Sequence, residues 1–278
     1  YEVYSKIYGA KVTRLDYEVS DDGPQLGVKK FVSTIEEIKP KMVCLPNPDS
    51  PTGVVFLPSD IEKIISAAEQ AGALILIDEA YHPLYQWTAS TLINKYSNLI
   101  VVRSFSKAWG AAGIRVGYSI ANDKLTSYLH KQRPMYEIGN VSAQTIETLL
   151  NHESDMLESV NRVREGQEYF QIEMKKIGFT TYTSHGNFFH IKFGSQLIDG
   201  DRIPHGLNNR ADRNQRIALK IHLSDQSLCK AWSKNRKMNM HRSPRIDVVG
   251  PRISCRLNRE KLVTACFVSD CAAAAAEI

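Results

Sequence analysis

Five apolar residues, Ala73-Leu-Ile-Leu-Ile77, run without a polar interruption straight into Asp78-Glu-Ala-Tyr81. A strand that is apolar on both faces can be solvated on neither, so this stretch predicts a central strand of a parallel sheet with helices on both sides. Upstream, Pro58 and the capping box Ser59-Asp-Ile-Glu62 open a helix with Ile61, Ile64, Ile65 and Ala68 on one face, and Gly72 ends it. Lys41-Met-Val-Cys-Leu45 and Asn98 to Val102 read as further buried strands. Strand, helix and strand in that rhythm predict right-handed βαβ crossovers and an α/β fold.

Around this centre, Lys11 to Val19 reads as a half-exposed strand, Ser20-Asp-Asp-Gly-Pro24 as a turn, and Phe31 to Ile38 as a short helix. Asn122-Asp-Lys-Leu opens another helix, and Arg133-Pro134 breaks the pattern. One long helical period runs from Val141 to Lys176, bent near Asn151-His152, and Gly178 closes it. Phe179 to Thr183 and Phe188 to Phe193 alternate as strands about the turn Ser184-His-Gly-Asn187. The chain thus divides into a large domain, residues 1–135, and a smaller α/β domain, residues 136–278.

The 278 residues suffice for two such domains, and no apolar run approaches the ~20 residues that cross a bilayer. With no signal-type apolar segment at the start, a cytoplasmic setting and no membrane partner are expected. The net charge of +5 is uneven: residues 197–256 hold thirteen Lys or Arg against five Asp, a local +8, leaving −3 elsewhere. Cys229, Cys255, Cys266 and Cys271 also fall after residue 196, without C-x-x-C spacing, and read as reduced thiols. Helix and strand periods fade between Arg202 and Met240, so residues 197–250 are expected to be atypical, with an altered reading frame and a disordered insertion as the two readings. That basic segment lacks interleaved aromatics, which argues against a nucleic-acid partner.

Chemistry concentrates in Ser104-Phe-Ser-Lys107-Ala-Trp-Gly110-Ala-Ala-Gly113-Ile-Arg115-Val-Gly117. Lys107 sits between an apolar strand and a Gly-rich turn, where partial desolvation suits a nucleophilic amine. Ser104 and Ser106 before it and Arg115 after it supply donors for a phosphate dianion, the guanidinium as a two-pronged fork. An aldehyde cofactor with a phosphate handle fits this combination. Asp78, at the carboxyl end of its strand where open α/β sheets place ligands, could hold a pyridine nitrogen protonated, and Tyr81 could reach a ring hydroxyl.

The Lys107 segment resembles the cofactor-lysine motif of fold-type-I pyridoxal-phosphate (PLP) enzymes, in particular class I/II aminotransferases of the histidinol-phosphate aminotransferase group. The resemblance implies a PLP-transferase type I fold with a mostly parallel sheet in the large domain, PLP as cofactor, Lys107 as its Schiff-base lysine, Asp78 as the pyridinium partner and Tyr81 as a ligand of the ring hydroxyl. Asn47-Pro-Asp-Ser-Pro-Thr-Gly53 is similar to the family's N-P-x-N-P-T-G loop, with Ser50 where the family's second asparagine bonds the same hydroxyl. Tyr1-x-x-Tyr4 resembles P-T-Y-x-x-Y, which makes Tyr1 the aromatic stacked on the ring and leaves Tyr4 for the core. Arg252, in a segment similar to L-R-I-S-x-G, is the implied fork for a substrate carboxylate, with Asn187 of an N-F turn and Tyr136 as further substrate contacts. His190 reads as structural.

By resemblance, the reaction is transfer of an amino group between an amino acid or a histidinol-phosphate-like amine and a 2-oxo acid, carried out by a homodimer. Three alternatives stay open: a PLP-dependent decarboxylase of the threonine-phosphate type, a regulator that kept the domain, and an inactive fragment. The first residue is not Met and the resemblance starts inside the family's large domain, so an N-terminal segment of the family is expected to be missing.

Overall fold

A computed structural model describes residues 1–176, 178–192 and the strand at 218–222. Its central sheet has four strands in the order β3 (Met42–Pro46), β4 (Leu74–Asp78), β5 (Leu99–Ser104) and β6 (Gly117–Ala121). The first three are mutually parallel, and β6 runs antiparallel to β5 at the edge. The α/β expectation holds.

The unbroken apolar runs are explained by what covers each face. From β4 and β5, Ile75, Ile77, Leu99 and Val101 join Ile61, Ile64, Ile65 and Ala68 of helix α3 (Pro58–Gln70) and Phe31 and Ile35 of α2 (Val28–Ile38). The alternate residues Leu74, Leu76, Ile100 and Val102 pack with Leu125 of α4 (Asp123–Lys131) on the opposite face. Period-two alternation therefore feeds two separate cores. Truncating any one of the buried Ile or Leu side chains to alanine removes roughly 2–5 kcal/mol.

Several sequence expectations require correction. Residues 11–17 form no strand; only β1 (Glu18–Ser20) does, paired with β2 (Gly23–Gln25) through the expected turn, in which Ser20 Oγ donates to Gly23 O at 2.9 Å. Ser59 does not cap α3. Its N-cap is Leu57 with Pro58 in the first turn, where a missing N–H costs nothing, and Glu62 turns away to accept from Lys95 and, at 3.1 Å, from Tyr96 Oη. Gly72, at φ +70°, does follow the helix end.

The β4–β5 crossover carries only a short 3-10 turn, Ala89–Leu92, rather than an α-helix. The long helical period is two helices, α5 (Asn140–Leu150) and α6 (Glu153–Lys176), separated by a turn at Asn151-His152. They differ in environment: α6 buries Met156, Val160, Gly166, Phe170 and Met174, whereas α5 buries none. Helix α1 (Glu2–Ile7) also buries none, so Tyr4 is half-buried rather than core.

A second sheet is antiparallel, with β7 (Thr180–Thr181), β8 (Phe188–Lys192) and β9 (Ala218–His222) in that order. Strand β9 lies where the sequence showed no period, correcting the expectation of disorder at 218–222; the rest of 197–250 lies outside the described residues. Phe189 and Ile191 pack on Phe170 and Met174, while Phe188, on the other face of β8, meets Tyr81, Leu84, Met156 and Val160.

The two sheets also touch where loop 47–53 meets the turn before β8. Gly53 adopts φ +75°, and its carbonyl accepts from His185 N at 2.9 Å. A Cβ on Gly53 would lie 2.1 Å from Ser184 Oγ and 3.0 Å from Ser184 Cα. Gly53→Ala should therefore lower the unfolding free energy by about 1–3 kcal/mol, through left-handed strain together with the clash. Urea unfolding at unchanged m-value measures this; Ser184→Gly in the same chain should recover only the clash component.

Candidate active site

The parallel strands end on one edge of the sheet, and the chemical groups are set there. Asp78 closes β4 in register with Val102 of β5, and Asn47 N continues the β3 side by donating to Asp78 O at 2.9 Å. Two residues beyond Val102, Ser104 ends β5, and the chain turns through Lys107 with Gly110 N on Lys107 O at 3.0 Å and Ala111 N on Phe105 O at 2.9 Å. This turn holds Lys107 half-buried, with Nζ 5.4 Å from the centre of the Tyr81 ring.

Tyr81 is 4 % exposed and fixed from behind by the edge-on ring of Phe188, 5.5 Å between centroids. The Asp78 carboxyl accepts from Ala80 N at 3.0 Å and from the phenol of Tyr1. Burial pushes its pKa up, while the bonds from Tyr1 and Ala80 and the charge of Lys107 pull the other way. Lys107 and Asp78 thus feel one another across the site. Tyr1, expected to stack on a ring, instead spends its phenol on Asp78.

Ser104 Oγ accepts from Ser106 N at 3.0 Å, a bond that leaves the hydroxyl hydrogen available to an acceptor. Arg115 stands beside this turn because Phe105 N bonds Val116 O at 3.2 Å and Ser104 pairs with Gly117. It holds a left-handed φ of 56°, a conformation that costs a non-glycine residue about 1–3 kcal/mol. Its Nη1 donates to Ala112 O at 2.7 Å, and its Nε is buried with no protein partner. A buried, unpaired guanidinium donor calls for an acceptor, and an anion supplies one.

Two more orphan groups border the site: Asn47 Nδ2 and Asn187 Oδ1, each buried without a partner. Asn47 is 1 % exposed, and its Oδ1 accepts from Phe56 N at 2.8 Å. Ser50, by contrast, is exposed on the loop's turn. The unsatisfied amide of this loop therefore belongs to Asn47, which the sequence reading passed over. Asp49 shapes the loop, accepting from Thr52 N at 3.2 Å and Thr52 Oγ1 at 2.5 Å, and together with burial it helps push Tyr17 up to about 12.

Of the remaining sequence candidates, Asn187 immediately precedes Phe188, the residue packed against Tyr81. Tyr136 is not brought in: it is 89 % exposed, so it lines no pocket here. Arg252 lies outside the described residues. A cleft of about 310 Å³, lined by Leu84, Tyr85, Arg164, Gln167, Ser184 and His185 among others, includes none of the cofactor candidates. It holds no pairing of nucleophile with acid or base like that of Lys107 and Asp78. Sequence reading also missed the buried pair Glu79–Arg103, although Arg103 directly follows an apolar strand run and Glu79 lies one residue past another, places where a buried charge needs a partner.

Comparison with known proteins identifies the family. The family described as aminotransferase class I and II matches residues 1–266, and the chain belongs to it. The matched span includes the segment of Arg252. A histidinol-phosphate aminotransferase of Clostridium novyi (strain NT) is 39 % identical over 189 residues, 68 % of this chain and 51 % of that protein. One from Thermoanaerobacter pseudethanolicus is 37 % identical over 211 residues, 76 % and 57 %. The chain thus spans about half the length of these curated relatives.

Among solved structures, the histidinol-phosphate aminotransferase of Sinorhizobium meliloti in complex with pyridoxal-5'-phosphate aligns at TM-score 0.59 and 22 % identity, over 70 % of this chain and 53 % of that one. An L-threonine-O-3-phosphate decarboxylase from Porphyromonas gingivalis aligns at TM-score 0.54 and 17 % identity, over 69 % and 62 %. At these identities both matches show the fold, which is that of fold-type-I PLP enzymes as expected.

Near the site, the half-buried imidazole of His82 gives a pH test of the packing. Burial first, and the neighbouring Arg103 charge second, push its pKa from 6.5 down to about 4. The unfolded chain takes up a proton between those values that the folded chain refuses. Its contribution to stability is therefore complete above pH 6.5 and is lost as pH falls toward about 4. A fully buried group gives a slope of about 1.4 kcal/mol per pH unit, and the exposed part of this ring reduces it. Urea unfolding at pH 7 and pH 5 should show His82→Gln losing less stability on acidification than the parent; equal losses would contradict the assignment.

Proposed function

We propose that the chain carries the catalytic half of a PLP-dependent aminotransferase, which moves an amino group between an amino acid or a histidinol-phosphate-like amine and a 2-oxo acid. The observation that carries this reading is the placement of the Lys107 amine and the Asp78 carboxylate on one sheet edge against Tyr81, with an unpaired Arg115 donor on the adjoining turn. PLP, when bound, supplies an aldehyde for the amine and an aromatic ring that takes up electron density from the substrate carbon.

The residues present fit that group. Ser104, Ser106 and Arg115 would hold its phosphate, satisfying the buried Nε. Asp78 would keep the ring nitrogen protonated, which its buried carboxylate does best while Lys107 and hydrogen bonds hold it ionised. Tyr81 lies beside the amine, where its phenol would orient the ring hydroxyl, and the orphan Nδ2 of Asn47 offers a second donor in place of the exposed Ser50. Lys107 would hold the aldehyde carbon, and its amine, when free, would serve as the base that takes the proton from the substrate Cα and the acid that delivers it to that former aldehyde carbon. Asn187 and Arg252 are the proposed contacts for the substrate carboxylate. Tyr1 would leave the Asp78 carboxyl to face the ring.

The relatives at 39 % and 37 % identity are named for transfer to or from histidinol phosphate, whereas the decarboxylase is a fold neighbour at 17 %. Transfer is the reading we adopt, within amino acid biosynthesis in the cytoplasm. Met135, Tyr136, Ile138 and Val141 expose a run of apolar side chains that a second copy would cover, in line with a homodimer.

Adding PLP to the purified protein should raise a pH-sensitive visible band that Lys107→Ala abolishes. With amino donor and 2-oxo acid present, keto-acid formation should fall about 10²–10⁴-fold in that variant. Release of CO₂ in place of keto-acid transfer would assign the decarboxylase reaction instead.

A further inference from the structure

Directly behind the proposed cofactor site, two buried charges tie together the strand ends that present it. Glu79 Oε2 accepts from Arg103 Nε at 3.0 Å and from Thr88 Oγ1 at 2.7 Å, and Oε1 accepts from Ala89 N at 2.6 Å. Arg103 Nη2 donates to Thr88 Oγ1 at 2.7 Å and reaches Ser90 Oγ at 3.4 Å. The two side chains are 2 % and 14 % exposed. Each is the immediate chain neighbour of a site residue: Glu79 follows Asp78, and Arg103 precedes Ser104 in the turn toward Lys107.

We infer that Glu79 and Arg103 are positioning residues, which set the separation between the Asp78 carboxylate and the Ser104–Lys107 turn and so the distance between the ring and phosphate ends of the cofactor site. The inference rests on the PLP reading. The sheet's hydrogen bonds end here: Glu79 N on Val102 O at 2.8 Å is the last backbone bond linking β4 to β5 on this edge. Beyond it both chains turn away, and without a further tie the carboxylate and the lysine turn could shift independently. The planar guanidinium fixes direction as well as distance, because its Nε and Nη2 engage Glu79 and Thr88 together.

Stability alone is a weaker account of the pair. Replacing a buried ion pair by apolar residues of like volume is commonly neutral or stabilising, because desolvating two charges offsets their attraction. Burial does push Glu79 upward here against its hydrogen bonds and Arg103, as that cost requires. A charged pair retained at this place is better explained by the geometry it imposes on its neighbours.

The experiment replaces both partners, Glu79→Met with Arg103→Met, and compares apoprotein unfolding with PLP titration followed by the visible band. The expected result is unfolding stability equal to or above the parent's, with PLP affinity reduced about 10- to 100-fold, the range seen when residues that orient a ligating group are removed. The pH midpoint of the band should rise, since a ring nitrogen no longer held against Asp78 withdraws less from the Lys107 amine. Unchanged affinity and midpoint in the folded double variant would overturn the inference.

If the double variant does not fold, Arg103→Lys decides. It keeps the charge and loses the fork, so parental affinity and midpoint there would equally overturn the positioning role. The parent titration separates the two levels of the argument: failure of the parent to form a Lys107-dependent band removes the PLP reading itself, whereas a normal parent beside a normal pair variant removes only the inference.

Discussion

A carboxyl nearly surrounded by protein, which must be ionised to hold a ring nitrogen, is the constraint on which the proposed site depends. Asp78 ends an apolar strand whose own residues supply no compensation, and burial pushes its pKa up. The compensation comes from other segments: the Ala80 amide in the next turn, the Tyr1 phenol from the amino end and the Lys107 charge from the neighbouring strand end. Each lies on a different part of the chain, so the electrostatics of Asp78 report whether the whole edge has assembled. The apolar run behind it is equally necessary, because only a strand buried on both faces brings a carboxylate so close to the core and still opens it at the carboxyl edge.

The smaller sheet contributes to that edge through packing. Phe188 is fully buried and presses on Tyr81, the ring that faces Lys107, while the next residue, Phe189, points into the other core. Gly53 and His185 make a second contact, between the loop of Asn47 and the turn of Asn187. The two orphan side-chain amides thus sit on segments clamped to one another. A displacement of the smaller sheet would reach Tyr81 and both asparagines together, which couples ring orientation to the proposed substrate contact.

What the sequence made legible follows from the range of the forces involved. Two-sided apolar strands, the α3 stripe and the lysine turn are local patterns, and each appears at its expected place. The failures are tertiary. Ser59 and Glu62 have the composition of a capping box, yet the helix starts at Pro58, two residues earlier than that box implies, and Lys95 and Tyr96, distant in sequence, claim Glu62. The apolar residues at 11–17 found no partner strand among the described residues. Tyr136 is exposed just ahead of a helix that buries nothing, and no periodicity could have revealed that. Glu79–Arg103 joins residues twenty-four apart in the chain, a pairing that no local pattern could reveal.

Ser50 shows how a departure from a family pattern can be absorbed. A hydroxyl reaches less far than an asparagine amide, and here it lies exposed on the outside of its turn. The same loop buries Asn47 with its Oδ1 bound to Phe56 N and its Nδ2 unpaired. An unsatisfied buried N–H costs about 1–3 kcal/mol unless something accepts from it, and the backbone bond from Asn47 N to Asp78 O holds that amide beside the residue proposed to grip the ring. The loop therefore keeps an amide donor at the site even though its second asparagine is gone. The buried, unpaired amide of this loop thus stands at Asn47, while the side chain at Ser50 is exposed.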